Sequence, residues 1–310
     1  MRRFLLRLIK FIIALPFLWV CLFALPLALP GVESRFIAKE TSWGFVNAKS
    51  QEWKQLESDS LDILFLGSST CYSGINPLVF RELNHTAFSL CSSAQAIQHS
   101  QRLAKAAFQE VVPGLVALDV YPKNWPNDCS SAEPVHDWIV NSNLWQFHWA
   151  VAYVEMAISS HSPYALLETF YFLIRRLFEP AGERSPSDPY GEYVGKGFVF
   201  RTFPPLDEIP QESASTVTMS SAACHGLTEL KKLCDAHDTE LVLINPPQLI
   251  EELFERPECV KGLLWIDGND WPGSKTPSHY YDDHHLIGEG GQMYSEWLAL
   301  QLKERAKSLR

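Results

Sequence analysis

A serine near one end of the chain and a histidine–aspartate pair near the other could together perform nucleophilic catalysis. Ser69 stands in the stretch Leu61 to Pro77, LDILFLGSSTCYSGINP, and Asp282 and His285 stand in Tyr281 to Ser295, YDDHHLIGEGGQMYS. A serine hydroxyl is a poor nucleophile at neutral pH and needs an adjacent base. An imidazole supplies that base, and a carboxylate fixes its tautomer and stabilises the imidazolium that forms. Ser69 follows a short apolar run that Gly67 breaks, so it is expected at the carboxyl end of a strand. Open α/β sheets place their ligands there. From the residues alone, His284 competes with His285 and Asp283 with Asp282. The cluster His279, Asp282, Asp283, His284 and His285 also offers metal ligands. Its spacing matches no familiar site and no CxxC pair accompanies it. Neither a metal nor a cofactor is expected.

The elements that would position these residues alternate. Strands are expected at Leu61 to Leu66, Thr86 to Leu90, Leu115 to Val120, Glu240 to Asn245 and Gly262 to Ile266. Helices are expected at Glu52 to Ser60, Asn76 to Leu83, Ala94 to Phe108, Ser220 to His237, Leu249 to Phe254 and Met293 to Lys307. Alternating strands and helices predict a parallel sheet covered on both faces, a three-layer α/β/α fold. Residues 129–215 interrupt the pattern as an insertion or cap. Two aromatic-rich helices, 143–159 and 164–178, are expected there, followed by a Pro- and Gly-rich loop from Glu179 to Pro210. The aromatics read first as core packing and only second as a sugar platform.

The chain has 310 residues and a formal net charge of −10. Arg2, Arg3, Arg7 and Lys10 lie in the first ten positions, so the remainder carries −14. An acidic body argues against nucleic-acid binding. Residues 11–30 hold no charge, about the length that crosses a hydrocarbon core of about 30 Å. With the basic cluster before it, this run reads as an uncleaved anchor with its amino terminus in the cytoplasm. No small-residue cleavage site precedes Gly31, and bulky residues precede Cys21, which argues against a signal peptide or a lipoprotein. The resulting division is a basic tip and transmembrane helix at 1–31, a lead-in spacer at 32–60 and one domain at 61–310. Of seven cysteines, six lie in the body. Cys71 and Cys91 fall on loops expected to be neighbours, so one bridge is allowed there; buried free thiols fit equally well.

Together the two stretches resemble the SGNH (GDSL-like) hydrolase superfamily, in its membrane-anchored bacterial branch. The first block of that branch, G-S-S-x-x-x-x-G-I-N-P, is matched by Gly67-Ser68-Ser69 and Gly74-Ile75-Asn76-Pro77. The last, D-x-x-H-L-N-x-x-G, is matched by Asp282, His285, Leu286 and Gly290, with Ile287 in place of the Asn. The resemblance covers most of residues 61–300 and implies an SGNH/flavodoxin-like sheet. It selects Ser69 as nucleophile, His285 as base because Leu286 follows it, and Asp282 as orienting carboxylate. It also implies an oxyanion hole built from the Ser69 N–H, the Ala94 N–H where the family has Gly, and the Asn124 side chain. The third block, Asp119 to Asn124, lacks a clean G-x-N-D, and Asn127 is a second candidate.

The implied function is a membrane-anchored extracytoplasmic serine esterase or O-acyltransferase. Its substrates would be acyl esters, above all acetyl esters, of cell-envelope carbohydrate. The implied setting is the bacterial inner (cytoplasmic) membrane, with the main domain periplasmic or otherwise extracytoplasmic. The partners are the acylated carbohydrate and the bilayer through residues 11–30; an acyl-exporting membrane protein would fit as a third. A rival reading is a non-catalytic envelope-polysaccharide assembly or binding protein that keeps the fold. The weak third block and the missing Asn after Leu286 favour that rival. A thiol enzyme using Cys71 is disfavoured, because Cys71 lies two residues beyond the turn.

Overall fold

A computed structural model describes residues 2–27, 43–56, 61–126, 137–138, 142, 188–211 and 214–307. Five parallel strands form the central sheet: β1 (Ile63–Leu66), β2 (Ala87–Ser89), β3 (Leu115–Asp119), β6 (Glu240–Asn245) and β7 (Leu264–Asp267). Their spatial order is β2-β1-β3-β6-β7. β1 pairs on one side with β2 and on the other with β3, so the connections run outward in opposite directions from it. A crevice opens at such a reversal, outside the carboxyl ends of the strands. Ser69 lies at that point.

The two faces of the sheet are buried against different helices, which is why the strands read as near-continuous apolar runs. Leu64 and Leu66 of β1 point to one face, with Val116, Leu118, Leu241 and Leu243. There they meet α4 (Ile97–Ala107) and α5 (Ser221–Ala236) through Leu103, Ala104, Ala107, Leu227 and Leu230. Ile63 and Phe65 point to the other face, with Ala117, Val242 and Ile244. They meet α6 (Gly288–Lys307) through Tyr294, Leu298 and Leu302, and the 3-10 helix Pro77–Leu83 through Val79 and Phe80. Each fully buried Leu, Ile or Phe contributes about 1.5–3 kcal/mol relative to exposure. This sandwich therefore fixes β1 and the turn that follows it. The Asn76 side chain caps the 3-10 helix by accepting from the Leu78 N–H at 3.0 Å, and Pro77 takes its first position.

Several expectations need correction. The helix expected at 52–60 forms instead as α2 (Val46–Trp53), and residues 57–60 lie outside the described residues. Leu249 to Phe254 is not a helix. Leu253 makes an isolated parallel bridge with Thr216, and Pro246-Pro247 directs the chain away from the sheet. α6 begins five residues earlier than expected, at Gly288, because Gly290 and Gly291 let the helix start against neighbouring backbone. A Cβ on Gly291 would stand 2.4 Å from the Ser73 carbonyl oxygen. The loop expected from Glu179 to Pro210 contains an antiparallel hairpin, β4 (Gly191–Gly195) and β5 (Phe198–Arg201). The two helices expected at 143–159 and 164–178 lie outside the described residues.

Cys71 and Cys91 form a disulfide, and a second joins Cys224 on α5 to Cys259; Cys234 is free and buried. At the amino terminus, α1 (Arg2–Leu27) is one helix with exposed apolar side chains from Phe4 to Leu18. Among the described residues no helix is long and apolar enough to cross a membrane. The second part of the uncharged run, from residue 19, lies outside the described side chains.

The turn after β1 depends on Gly67. Its φ is +149°, and a Cβ there would stand 2.4 Å from Cβ of Asp119 on the adjacent β3. Neither backbone can retreat, because β1 and β3 are ladder partners through Leu66 and Leu118. Gly67→Ala is expected to destabilise the fold by about 2–4 kcal/mol. A urea midpoint within about 0.5 kcal/mol of the wild type would show that the turn can shift.

Candidate active site

Ser69 is the first residue of α3 (Ser69–Gly74), a short helix that the sequence reading missed. The turn carrying it is tied to the end of β3 by a polar chain. Ser68 Oγ lies 2.9 Å from Thr70 Oγ1, and Thr70 Oγ1 donates to Asp119 Oδ2 at 2.7 Å. Asp119 Oδ1 accepts from the Tyr121 N–H at 3.0 Å. Burial pushes the Asp119 carboxyl up to about 7, against the lowering effect of these hydrogen bonds.

His285 and Asp282 arrive from the loop before α6. Tyr280 and Leu286 form a bridge, and Tyr281 N–H donates to the His285 carbonyl at 3.1 Å, so the intervening residues make a tight turn. That turn closes on Asp282. Its Oδ1 accepts from the backbone N–H of His285 at 2.7 Å and of His284 at 3.0 Å. Its Oδ2 lies 2.7 Å from His285 Nδ1. His285 Nε2 lies 2.7 Å from Ser69 Oγ. The three residues selected from sequence are thus joined in one hydrogen-bonded line, Asp282–His285–Ser69.

The electrostatics suit a base that is neutral at rest. Burial holds the His285 imidazole below its ordinary value, with the Asp282 hydrogen bond opposing and the nearby His284 and Arg201 charges adding to the shift. Burial tends to raise Asp282, but its hydrogen bond to His285 and the two neighbouring imidazoles bring it below the usual carboxylate range. Asp282 therefore stays ionised wherever His285 works.

The competitors are placed differently. Asp283 binds His284, not His285: His284 Nδ1 lies 2.6 Å from Asp283 Oδ1. Lys123 Nζ donates to Asp283 Oδ2 at 2.6 Å and lies 3.3 Å from Glu252. The His284 hydrogen bond foremost, then Lys123, holds Asp283 well below the usual carboxylate range. His279 is apart from this group, with Nδ1 bonded to the Gly273 carbonyl and its ring stacked on Trp271. Ligand atoms of Asp282, His284 and His285 lie within 4.8 Å of one another. Asp282 Oδ1 is, however, already engaged by two backbone N–H groups, and Asp282 Oδ2 and both His285 nitrogens by the line to Ser69. The donor set fits a hydrogen-bonded dyad better than a metal.

A cavity of about 400 Å³ opens over Ser69 and His285. Ala94 and Asn124 both line it, together with Ser69. Asn127 lies outside the described residues. Ala94 has φ +52°, a left-handed conformation that glycine adopts freely and alanine holds at a cost. Its loop is held from several sides. The Cys71–Cys91 disulfide ties it to α3, the Ser92 N–H donates to the Gly67 carbonyl at 3.2 Å, and Trp138 Nε1 donates to Ser92 Oγ at 3.2 Å. Lys49, fully buried, donates to the Cys91 carbonyl, and burial lowers its ammonium to about 7.

Other residues of the cavity wall come from the lead-in and the hairpin. The lead-in was expected as a spacer, yet Trp43 lines the cavity and Lys49 braces its loop. Arg201 on β5 pairs with buried Asp188 and donates to the Trp43 carbonyl at 2.7 Å and to Tyr72 Oη at 3.1 Å. It pins lead-in, hairpin and α3 together. A pile of rings crosses the site. Tyr190 stacks on Phe203, Phe203 on Tyr281, and Tyr281 on His285 with the last two planes 1° apart. On the far side the His284 ring lies 3.9 Å from that of His285 and stacks on Tyr121. A second cavity, of about 410 Å³, lies at the amino ends of the strands near Asp62, His85 and Glu240, away from Ser69.

Compared with known protein families and with characterised proteins, the chain matches no family model and no individual relative.

Ala94→Gly keeps the N–H and removes the left-handed cost of about 1 kcal/mol, offset by added freedom of the unfolded chain. It is expected to leave stability within about 1 kcal/mol of the wild type. Ala94→Val, whose branched side chain tolerates this backbone least, is expected to lose about 1–3 kcal/mol. Equal thermal midpoints for the two variants would contradict this account of the loop.

Proposed function

We propose that the protein is a serine esterase or O-acyltransferase acting on acyl esters, above all acetyl esters, of cell-envelope carbohydrate. The observation that carries this reading is the continuous line of two 2.7 Å contacts from Asp282 through His285 to Ser69 Oγ. Ser69 Oγ attacks the ester carbonyl as His285 Nε2 takes its proton. Asp282 holds the imidazole with Nδ1–H toward itself and stabilises the imidazolium. The tetrahedral oxyanion is received by the N–H groups of Ser69 and Ala94 and by the Asn124 side chain. Collapse expels the sugar oxygen, which takes the proton from His285, and leaves an acyl-enzyme. Water or a second sugar hydroxyl then gives its proton to His285 and attacks the acyl carbon, and Ser69 recovers its proton.

The location belongs to the same proposal. The disulfides Cys71–Cys91 and Cys224–Cys259 suit an oxidising compartment. The basic tip and uncharged run at 11–30 suit a single-pass anchor in a bacterial inner membrane, with the body outside the cytoplasm. An acyl-exporting membrane partner would supply the donor if the reaction is transfer.

In detergent, the full chain is expected to release acetate from acetylated oligosaccharides. Ser69→Ala and His285→Ala should each reduce kcat by about 10⁴-fold or more, with little further loss in the double variant. Undiminished release by folded Ser69→Ala would sink the proposal. A folded wild type that binds the glycan without releasing acetate would favour the assembly or binding reading. The pH profile provides a second check. Since only neutral His285 accepts the proton and its value is depressed, kcat/KM should rise with pH through one ionisation below about 6.5 and then level. An inflection above about 7 would contradict the burial argument.

A further inference from the structure

His284 repeats, one residue earlier, the arrangement that makes His285 a base. Its Nδ1 is held by its own carboxylate, Asp283, at 2.6 Å. That carboxylate is fixed in turn by Lys123, which also reaches buried Glu252. In the neutral ring, a carboxylate at Nδ1 selects the tautomer with the proton there and leaves Nε2 as an acceptor. The ring is clamped between Tyr121, at 4.8 Å, and His285, at 3.9 Å, and it lines the same cavity as Ser69. His284 Nε2 makes no hydrogen bond among the described residues.

The chemistry of the reaction limits what His284 can do. A sugar hydroxyl has one proton, and at the reacting oxygen that proton passes to or from His285. The oriented acceptor beside it can therefore serve only another hydroxyl. The two rings lie 3.9 Å apart and both line the cavity, so an oxygen on the carbon next to the reacting one is the nearest candidate for His284. We propose that His284 is a specificity-determining residue whose Nε2 accepts the hydrogen bond of a free hydroxyl vicinal to the reacting oxygen. The cavity then selects pyranose positions with a free neighbouring hydroxyl, and disfavours those whose neighbour is acylated or absent. This rests on the carbohydrate-ester reading of the same site, but its test does not require turnover.

The test is an imidazole-nitrogen NMR titration of the full chain in detergent with a methyl pyranoside and its monodeoxy analogues. The glycoside is expected to move the His284 Nε2 signal, and removal of one hydroxyl of the pair should weaken binding about three- to tenfold, the scale of one hydrogen bond. His284→Phe keeps the ring stack and removes the acceptor; it should abolish the preference for the diol over the deoxy sugar. Asp283→Asn should shift the His284 tautomer and reduce the same preference. The proposal is overturned if the glycoside binds with the His284 signal unmoved, if the wild type does not distinguish glycoside from deoxy analogue, or if His284→Phe keeps that distinction. Failure of the esterase reading would show separately, as absence of acetate release with the His284 response intact.

Discussion

The site depends on one contact, 2.7 Å long, between Ser69 Oγ and His285 Nε2, made across 216 residues of sequence. No local element can supply it. It requires β1 between β2 and β3, so that the Gly67 turn opens at the strand-order reversal. It also requires α6 to lie against α3, so that the loop before α6 meets the turn after β1. The second condition is met by small contacts. Gly291 lets α6 approach the Ser73 carbonyl, Ser295 Oγ bonds the Gly74 carbonyl at 3.2 Å and the Asn76 N–H at 2.7 Å, and Asn76 Nδ2 donates to Gln292 at 2.7 Å. The two halves of the triad are thus held by backbone and small polar groups behind them, out of reach of solvent.

Around that contact the protein restrains its base more than its nucleophile. The His285 imidazole has a carboxylate on Nδ1, the serine on Nε2, and the Tyr281 and His284 rings beside it. Orientation of this kind lowers the barrier because reacting groups need not be gathered at the moment of reaction. The lead-in contributes through Trp43 and Lys49, so the segment joining the amino-terminal helix to the body is part of the cavity wall.

Much of this was legible in the sequence, and the reasons are physical. β1, β3 and β6 are buried on both faces, so they appear as apolar runs. Ser69 sits just past the end of such a run, and an aspartate three residues before a histidine can close a turn onto both backbone and ring. α3 was hidden because a six-residue helix has no amphipathic period to detect. The hairpin of β4 and β5 was hidden by glycines at 191, 195 and 197, which read as loop although they shape its turn. Arg201 carried no signal because its role comes from contacts with Trp43 and Tyr72, far away in the sequence. The expected 249–254 helix failed because its apolar residues, Leu249 and Ile250, serve the sheet's edge while Leu253 is exposed.

The most direct test of the central claim is covalent labelling of the full chain by a fluorophosphonate, with the modified residue found by peptide mass. An activated serine held by His285 and Asp282 should label stoichiometrically at Ser69, and labelling should disappear in His285→Ala while the variant remains folded. Labelling spread over Ser68, Ser73 and surface serines, or no labelling of a folded wild type, would contradict the account and leave the Ser69–His285 contact as a structural hydrogen bond.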